Sequence, residues 1–331
     1  MIGEGQGNGG TAKNYRYSAN FGVNCMVKID CISGFLGAGK TTFANMLLRY
    51  YMDSGLRPVF IVNEFGKTGL DADIIKADGF EALEIEGGCI CCTLKDDIAA
   101  AIIKVVDAFS PANIVFEPCG IFVFDNFFDI LKEPAIYKKC ELASVITVVD
   151  SVNFSFSKAL YGSFVYNQIK NATIILLSKL EKTTNSVDEL MCDIKNINPD
   201  AFIMSKIWAD WDRNDFELLT KQQQCVSARH RAHHHNNLHS ITVELEKPFA
   251  QDKIDKLIAC CTSGAFGNLC RVKGVLLTEA QPVLLNIAMQ DVTIKTFKGP
   301  SKPALTFVGQ TVNEKEILEF STSQAHKTIK V

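Results

Sequence analysis

One glycine-rich run ends in a lysine and two hydroxyls: Gly34-Phe35-Leu36-Gly37-Ala38-Gly39-Lys40-Thr41-Thr42. It fits the Walker A pattern, and it follows an apolar strand pattern and opens a helical one, the context such a match needs. Glycines let successive backbone N–H groups turn inward around phosphate oxygens, and a helix start adds a favourable dipole. In that arrangement the loop from Gly34 through Gly37, Ala38 and Gly39 to Thr42 cradles the phosphates. Lys40 reaches the β- and γ-phosphates, and the Thr41 hydroxyl holds Mg²⁺. Two acidic strand ends fit the same chemistry. Glu117, in Phe116-Glu117-Pro118-Cys119-Gly120, closes a strand just before a turn suited to sensing a γ-phosphate, and it is the second Mg²⁺ ligand of this reading. Glu64, in Asn63-Glu64-Phe65-Gly66, is placed to contact Mg²⁺ or orient water, or else it is a surface carboxylate without a role.

A base-recognition motif Asn-Lys-x-Asp is expected after a late strand. Ser178-Lys179-Leu180-Glu181 stands in that place, keeping a carboxylate but losing the asparagine amide. Guanine selectivity is therefore expected in weakened form.

Glu86-Gly87-Gly88-Cys89-Ile90-Cys91-Cys92-Thr93 lacks the Cys-x-x-Cys spacing of a zinc knuckle. A bend at the glycines would bring Cys89, Cys91 and Cys92 together. Three thiolates on a divalent ion leave one tetrahedral position open, which suits uptake and release better than a closed structural site. Soft sulfur favours zinc or copper(I), or an iron–sulfur cluster if Cys119 or another group joins. The alternative reading of these cysteines is a set of small buried residues. His230, His233, His234 and His235 form a tract that either binds metal weakly or is a solvated linker.

These residues need a scaffold that puts strand ends side by side. Strand patterns at Lys28–Ile32, Val59–Asn63, Asn113–Glu117, Ser144–Val149 and Thr173–Leu177 alternate with helical ones, including Thr41–Tyr51 and a run from Leu94 to Phe109. The alternation predicts an α/β fold, a P-loop domain with a mostly parallel sheet. A smaller α+β domain follows, with strands at Ser240–Glu246, Arg271–Leu277, Val283–Ala288 and Thr306–Gly309 and helices near Gln251–Cys261 and Asn313–Phe320. The expected division is a flexible tail over 1–27, the P-loop domain over 28–206, a linker with the His tract over 207–239, and the C-terminal domain over 240–331.

A net charge of -3 offers no basic footprint for nucleic acid or an anionic membrane, and the apolar runs are too short to cross a bilayer. Residues 1–24 lack the continuous apolar stretch of a signal peptide. Twelve cysteines without an export signal read as thiols, not disulfides. A cytoplasmic location is expected.

Taken together, the Gly34–Thr42 loop, Asn63-Glu64-Phe65-Gly66, Gly88-Cys89-Ile90-Cys91-Cys92 and Val148-Val149-Asp150 resemble the CobW-like P-loop GTPases. So do the His-rich stretch and a C-terminal segment running through Lys247-Pro248-Phe249 to Arg271-Val272-Lys273-Gly274. The family is related to the GTPases that insert nickel into hydrogenase and urease. The resemblance implies a GTP-hydrolysing metal chaperone or insertase, with GTP and Mg²⁺ bound and zinc the first candidate cargo, cobalt or another soft ion the next. It also implies a client metalloprotein and a nucleotide-dependent homodimer. The chain departs from the family at Cys119, where Ser or Thr is usual, and at Ser178 and Glu181. Gln168 and Ala172 keep a further family stretch whose Asp is replaced by Thr173. Other readings remain: a metal store or sensor that binds nucleotide, an iron–sulfur carrier, and a P-loop kinase or ATPase with incidental cysteines.

Overall fold

The computed structural model describes residues 26–64, 70–86, 94–122, 124–223, 238–245, 247–288, 291–297, 302–321 and 328–330. The first unit places β1 (Val27–Gly34), α1 (Lys40–Asp53), β2 (Pro58–Glu64), α2 (Leu70–Ala77), β3 (Ala82–Glu86), α3 (Leu94–Phe109) and β4 (Asn113–Glu117) in succession. It continues with α4 (Asp125–Leu131), α5 (Pro134–Tyr137), β5 (Cys140–Asp150), α6 (Phe154–Asn171), β6 (Ile174–Ser178), α7 (Val187–Ile197), β7 (Phe202–Met204) and α8 (Arg213–Lys221). Among the described residues, its seven strands form a parallel sheet ordered β3-β2-β4-β1-β5-β6-β7.

Helices cover both faces, so the central strands are apolar almost throughout, as parallel strands buried on two sides must be. Along β1, Ile29 and Cys31 pack with Ile98, Ile102 and Val105 of α3 and Phe127 of α4. Ile32 turns to the opposite face, towards Phe43, Leu47 and Leu48 of α1. That two-residue alternation fixes which face each strand residue joins. Asp30 shares the α1 face and is wholly buried; it accepts hydrogen bonds from Tyr51 (2.7 Å), Gln223 (2.8 Å) and Ser144.

Within residues 207–239, Trp208–Asp210 forms a 3-10 turn and α8 follows. A reciprocal capping box between Asp212 and Asp215 starts α8. Phe216 and Leu219 of α8 enter the same core as Phe43, with Trp211 edge-on to Phe216 at 5.2 Å between ring centroids. The apolar content of this segment is low, and Leu218 stays exposed while Phe216 and Leu219 point inward.

The second unit comprises β8 (His239–Glu244), α9 (Gln251–Ser263), β9 (Leu269–Leu276), β10 (Val283–Ala288), β11 (Asp291–Thr296), β12 (Ala304–Gly309), α10 (Glu314–Ser321) and β13 (Thr328–Lys330). Its strands make an antiparallel sheet ordered β11-β10-β9-β12-β8-β13. One face carries Ile241, Val243, Val272, Leu285 and Phe307 against Ile254 and Leu257 of α9 and Ile317 of α10. By the same alternation the other face carries Thr242, Arg271, Lys273, Asn286 and Thr306, and there Thr242 and Thr306 share a hydrogen bond of 2.9 Å.

The two units share a core. Cys270 and Val308 of the antiparallel sheet cluster with Phe35, Leu36, Ile121 and Tyr161 of the first unit. Gln310 donates to the Leu160 carbonyl at 3.0 Å across the same seam. Among the described residues, no helix is long and apolar enough to cross a membrane.

Candidate functional site

Parallel strands that share a direction must end at one edge of the sheet, and ligands of open α/β sheets bind at that edge. Gly34, Glu64, Glu86, Glu117, Asp150 and Ser178 are the last residues of β1 to β6 in turn. After β1 the chain turns through the glycine loop into α1. Gly34 has φ +143°, and a Cβ there would lie 2.4 Å from the Val148 carbonyl oxygen, so the exit from β1 requires glycine. Gly39 precedes α1 in the left-handed region, and Lys40 is the first helical residue. The Lys40 side chain is buried and donates to the Phe35 carbonyl across the loop at 3.4 Å.

Thr41 Oγ1 donates to Glu117 Oε1 at 3.1 Å. β4 lies beside β1, and this neighbouring register brings the two groups together. A hydroxyl beside a buried carboxylate is a hard-oxygen pair of the kind Mg²⁺ selects, so the residues fit that ion. Beyond Glu117, Gly120 is pressed against the loop: a Cβ there would lie 2.7 Å from the Leu36 backbone nitrogen. Gln168 Nε2 holds the Gly120 carbonyl at 3.0 Å. Burial pushes the Cys119 thiol above its ordinary pKa, while a backbone hydrogen bond and the charges of Lys40 and Arg271 pull the other way.

The residues expected at the nucleotide base divide. Ser178 is buried and donates to the Ala38 carbonyl at 2.6 Å, with the Val149 carbonyl 3.2 Å away. Its hydroxyl therefore ties β6 to the phosphate loop. Lys179, with φ +57°, reaches Asp150 Oδ2 at 2.7 Å and also pairs with Asp291 of β11. Burial disfavours its charge, but these two carboxylate hydrogen bonds prevail and hold its pKa above the usual lysine value. Glu181 is exposed nearby in sequence. Trp208, absent from the sequence reading, lies against Gly39, its ring carbons 3.4 Å from where a Cβ would stand.

A cleft of about 710 Å³ joins these groups. Gly37, Gly39, Lys40, Thr41, Thr42 and Glu117 line one side, and Arg271, Lys273 and Asn286 of the antiparallel sheet line the other. Its size is that of a small-molecule site. Sequence reasoning did not assign Arg271, Lys273 or Asp291 to the site. The signal available was two cations spaced two apart in a strand pattern, which must share a face.

Cys89, Cys91, Cys92 and the tract from His230 to His235 lie outside the described residues, as does the side chain of Glu64. The Glu64 backbone pairs with Glu86 at the end of β3, three residues before Cys89 in the sequence.

Residues 28–205 match the CobW/HypB/UreG nucleotide-binding domain, and residues 238–320 match the cobalamin synthesis protein CobW C-terminal domain. The chain belongs to the CobW/HypB/UreG family. Among its relatives, the zinc chaperone CobW of Sinorhizobium sp is 38% identical over 127 residues, which is 36% of this chain and 35% of that protein. The match thus spans about a third of that relative's length. The zinc chaperone YjiA of Escherichia coli (strain K12) is 26% identical over 277 residues, covering 77% of this chain and 83% of that one. The zinc-regulated GTPase metalloprotein activator 1 of Dictyostelium discoideum is 23% identical over 330 residues, with 81% of this chain and 67% of that one covered. The loop, the Thr41–Glu117 pair and the cleft all fall within, or face, the CobW/HypB/UreG nucleotide-binding domain.

Proposed function

We propose that this CobW/HypB/UreG protein is a GTP-hydrolysing metal carrier. It takes up a transition metal, zinc first, at Cys89, Cys91 and Cys92, and passes it to a client metalloprotein according to nucleotide state. The observation that carries this reading is the Thr41–Glu117 hydrogen bond, a Walker A hydroxyl against the carboxylate that ends β4. The names of the relatives, zinc chaperones and a GTPase metalloprotein activator, supply the class of cargo.

In this reading the backbone of the Gly34–Thr42 loop receives the phosphates, and Lys40 leaves the Phe35 carbonyl to meet the β- and γ-oxygens. Thr41 and Glu117 would hold Mg²⁺, which would supply charge neutralisation for the phosphates. Glu64 orients the attacking water. Lys179 and Glu181 face the guanine, the Glu181 carboxylate accepting from its N–H edge, while Ser178 keeps the loop in register with β6. The stretch from Asn63 to Cys92 joins the Mg²⁺ end of the site to the thiols, so ordering it with GTP changes how the thiols hold the cargo ion. The sequence from Val62 to Gly120 contains no glutamine to position the attacking water, so intrinsic turnover is slow and a partner speeds it. The working form is a nucleotide-dependent homodimer in the cytoplasm.

The test is a competition titration of anaerobically purified protein with zinc and cobalt, run without nucleotide, with a GTP analogue and Mg²⁺, and with GDP. A roughly tenfold difference in metal affinity between nucleotide states, about 1.4 kcal/mol of coupling, is expected. Equal affinities in all three states would overturn the gated carrier. Replacing Cys89, Cys91 and Cys92 together by Ser is expected to abolish the nucleotide-dependent binding; its survival would remove these thiols from the site.

A further inference from the structure

The antiparallel sheet sets two cations against the phosphate site from outside the nucleotide-binding domain. Arg271 and Lys273 flank Val272 on β9, and Val272 points into the core beneath α9. The two cations therefore project from the opposite face, beside Ala288 and Asn286 of β10. Lys273 is only 6% exposed. Both line the cleft that Lys40, Thr41 and Glu117 line from the other side, and both also interact within the fold.

Two links hold this face at the loop. Gly37 packs so closely on Ala288 that a Cβ at residue 37 would lie 2.2 Å from the Ala288 methyl. The ion pair between Lys179 and Asp291 ties the end of β6 to β11. The cleft's charge is lopsided: its described lining holds seven lysine and arginine side chains and two carboxylates, Glu117 and Asp291. Gathering so many cations around one cavity is unfavourable unless an anion occupies it. Arg271 lines this cleft together with Lys40 and with Glu117, the carboxylate that ends β4.

We infer that Arg271 and Lys273 bind the nucleotide's phosphates from the C-terminal domain of the same chain, with Arg271 serving the terminal phosphate. The inference rests on reading the glycine loop as the nucleotide site. A guanidinium meets phosphate oxygens through two parallel N–H bonds and stays charged in any setting, which an ammonium does not match. Loss of the terminal phosphate then removes a contact that spans both domains, so the antiparallel sheet itself registers nucleotide state.

Calorimetric titration of the full chain with GTPγS·Mg²⁺ and with GDP·Mg²⁺ tests this. Arg271→Gln should weaken GTPγS binding by roughly tenfold or more while GDP affinity changes by less than about threefold. Lys273→Gln should weaken both. Lys256→Gln removes the same charge from the exposed side of α9, where it pairs with Asp252, and should change neither. If Arg271→Gln binds GTPγS as the wild type does, or loses GTPγS and GDP equally, the assignment to the terminal phosphate is wrong. If Lys273→Gln matches the wild type for both nucleotides, its phosphate role is wrong. Should Arg271→Gln fail to reach the wild-type unfolding midpoint, Arg271→Lys keeps the charge and loses the fork; a selective GTPγS loss supports the inference and wild-type affinity overturns it. Lys40→Ala separates the two levels: if it binds GTPγS as tightly as the wild type, the nucleotide reading of the loop itself fails.

Discussion

Asp30 is the residue whose chemistry was least visible beforehand. In the sequence it is one acid inside an apolar run; in the fold it is a buried carboxylate ringed by Ser144, Tyr51 and Gln223. Burial raises its pKa, against the hydrogen bonds that lower it. Such a group favours the fold in its protonated form: the contribution is complete below the unfolded pKa of about 3.9 and is lost as pH rises through the folded value. Asp30→Asn carries no such titration. Measured against the wild type by urea denaturation, it should gain relative stability as the pH rises above about 4. A pH-independent difference would remove the buried-carboxylate account. Ser178 shows the converse. Its place after a late strand was legible, but its role was not, because the partner carbonyl of Ala38 lies 140 positions away.

Some strongly periodic elements were legible, while other elements, α6 and α7 among them, were not read. The run from Leu94 to Phe109 coincides with α3, because Ile98, Ile102 and Val105 all turn to the sheet. The strand patterns before α6 and in the second domain also fall on strands of the structure. β11 escaped notice because it is an edge strand whose Val292 and Ile294 stay exposed, so no buried face imprints a pattern. β7, three residues long, is too short to show one. α8 was hidden for a third reason: its fixation comes from a capping box and two inward side chains amid polar neighbours. Phe216→Ala should therefore destabilise the protein by about 3 kcal/mol, as for a buried aromatic truncated to alanine. Chemical denaturation checks this, and a change within about 0.5 kcal/mol, the range of a surface substitution, would make α8 an appended linker helix after all.

For the molecule as a whole, the seam between the sheets is the point of interest. A core that runs from Phe35 and Ile121 through Tyr161 to Cys270 and Val308 joins the two domains by apolar contact. The Lys179–Asp291 pair adds little stability on its own, since Asp291 is 42% exposed and water screens it. The two domains should then unfold in one cooperative transition. Val308→Asp, which puts a charge into that shared core, should split the transition into two. A wild type that already melts in two steps would show the seam to be thermodynamically weak. The Cys-x-Cys-Cys stretch lies outside the described residues, and its reading rests on residue types alone. The cationic face opposite the loop was not legible, because nothing in a sequence says which sheet face another domain covers.

The contact between Gly37 and Ala288 bears on how such a chain can be recombined. A glycine in a phosphate loop is ordinarily understood through the ligand that must approach the backbone. Here the same bare backbone, at φ +77°, also admits the methyl group of another domain. The nucleotide-binding half is thus not a free-standing module to which any relative's second half can be grafted. A graft that brings a larger side chain to position 288 would press on the loop itself, and the penalty would surface as poor nucleotide binding in a half whose own sequence had not changed.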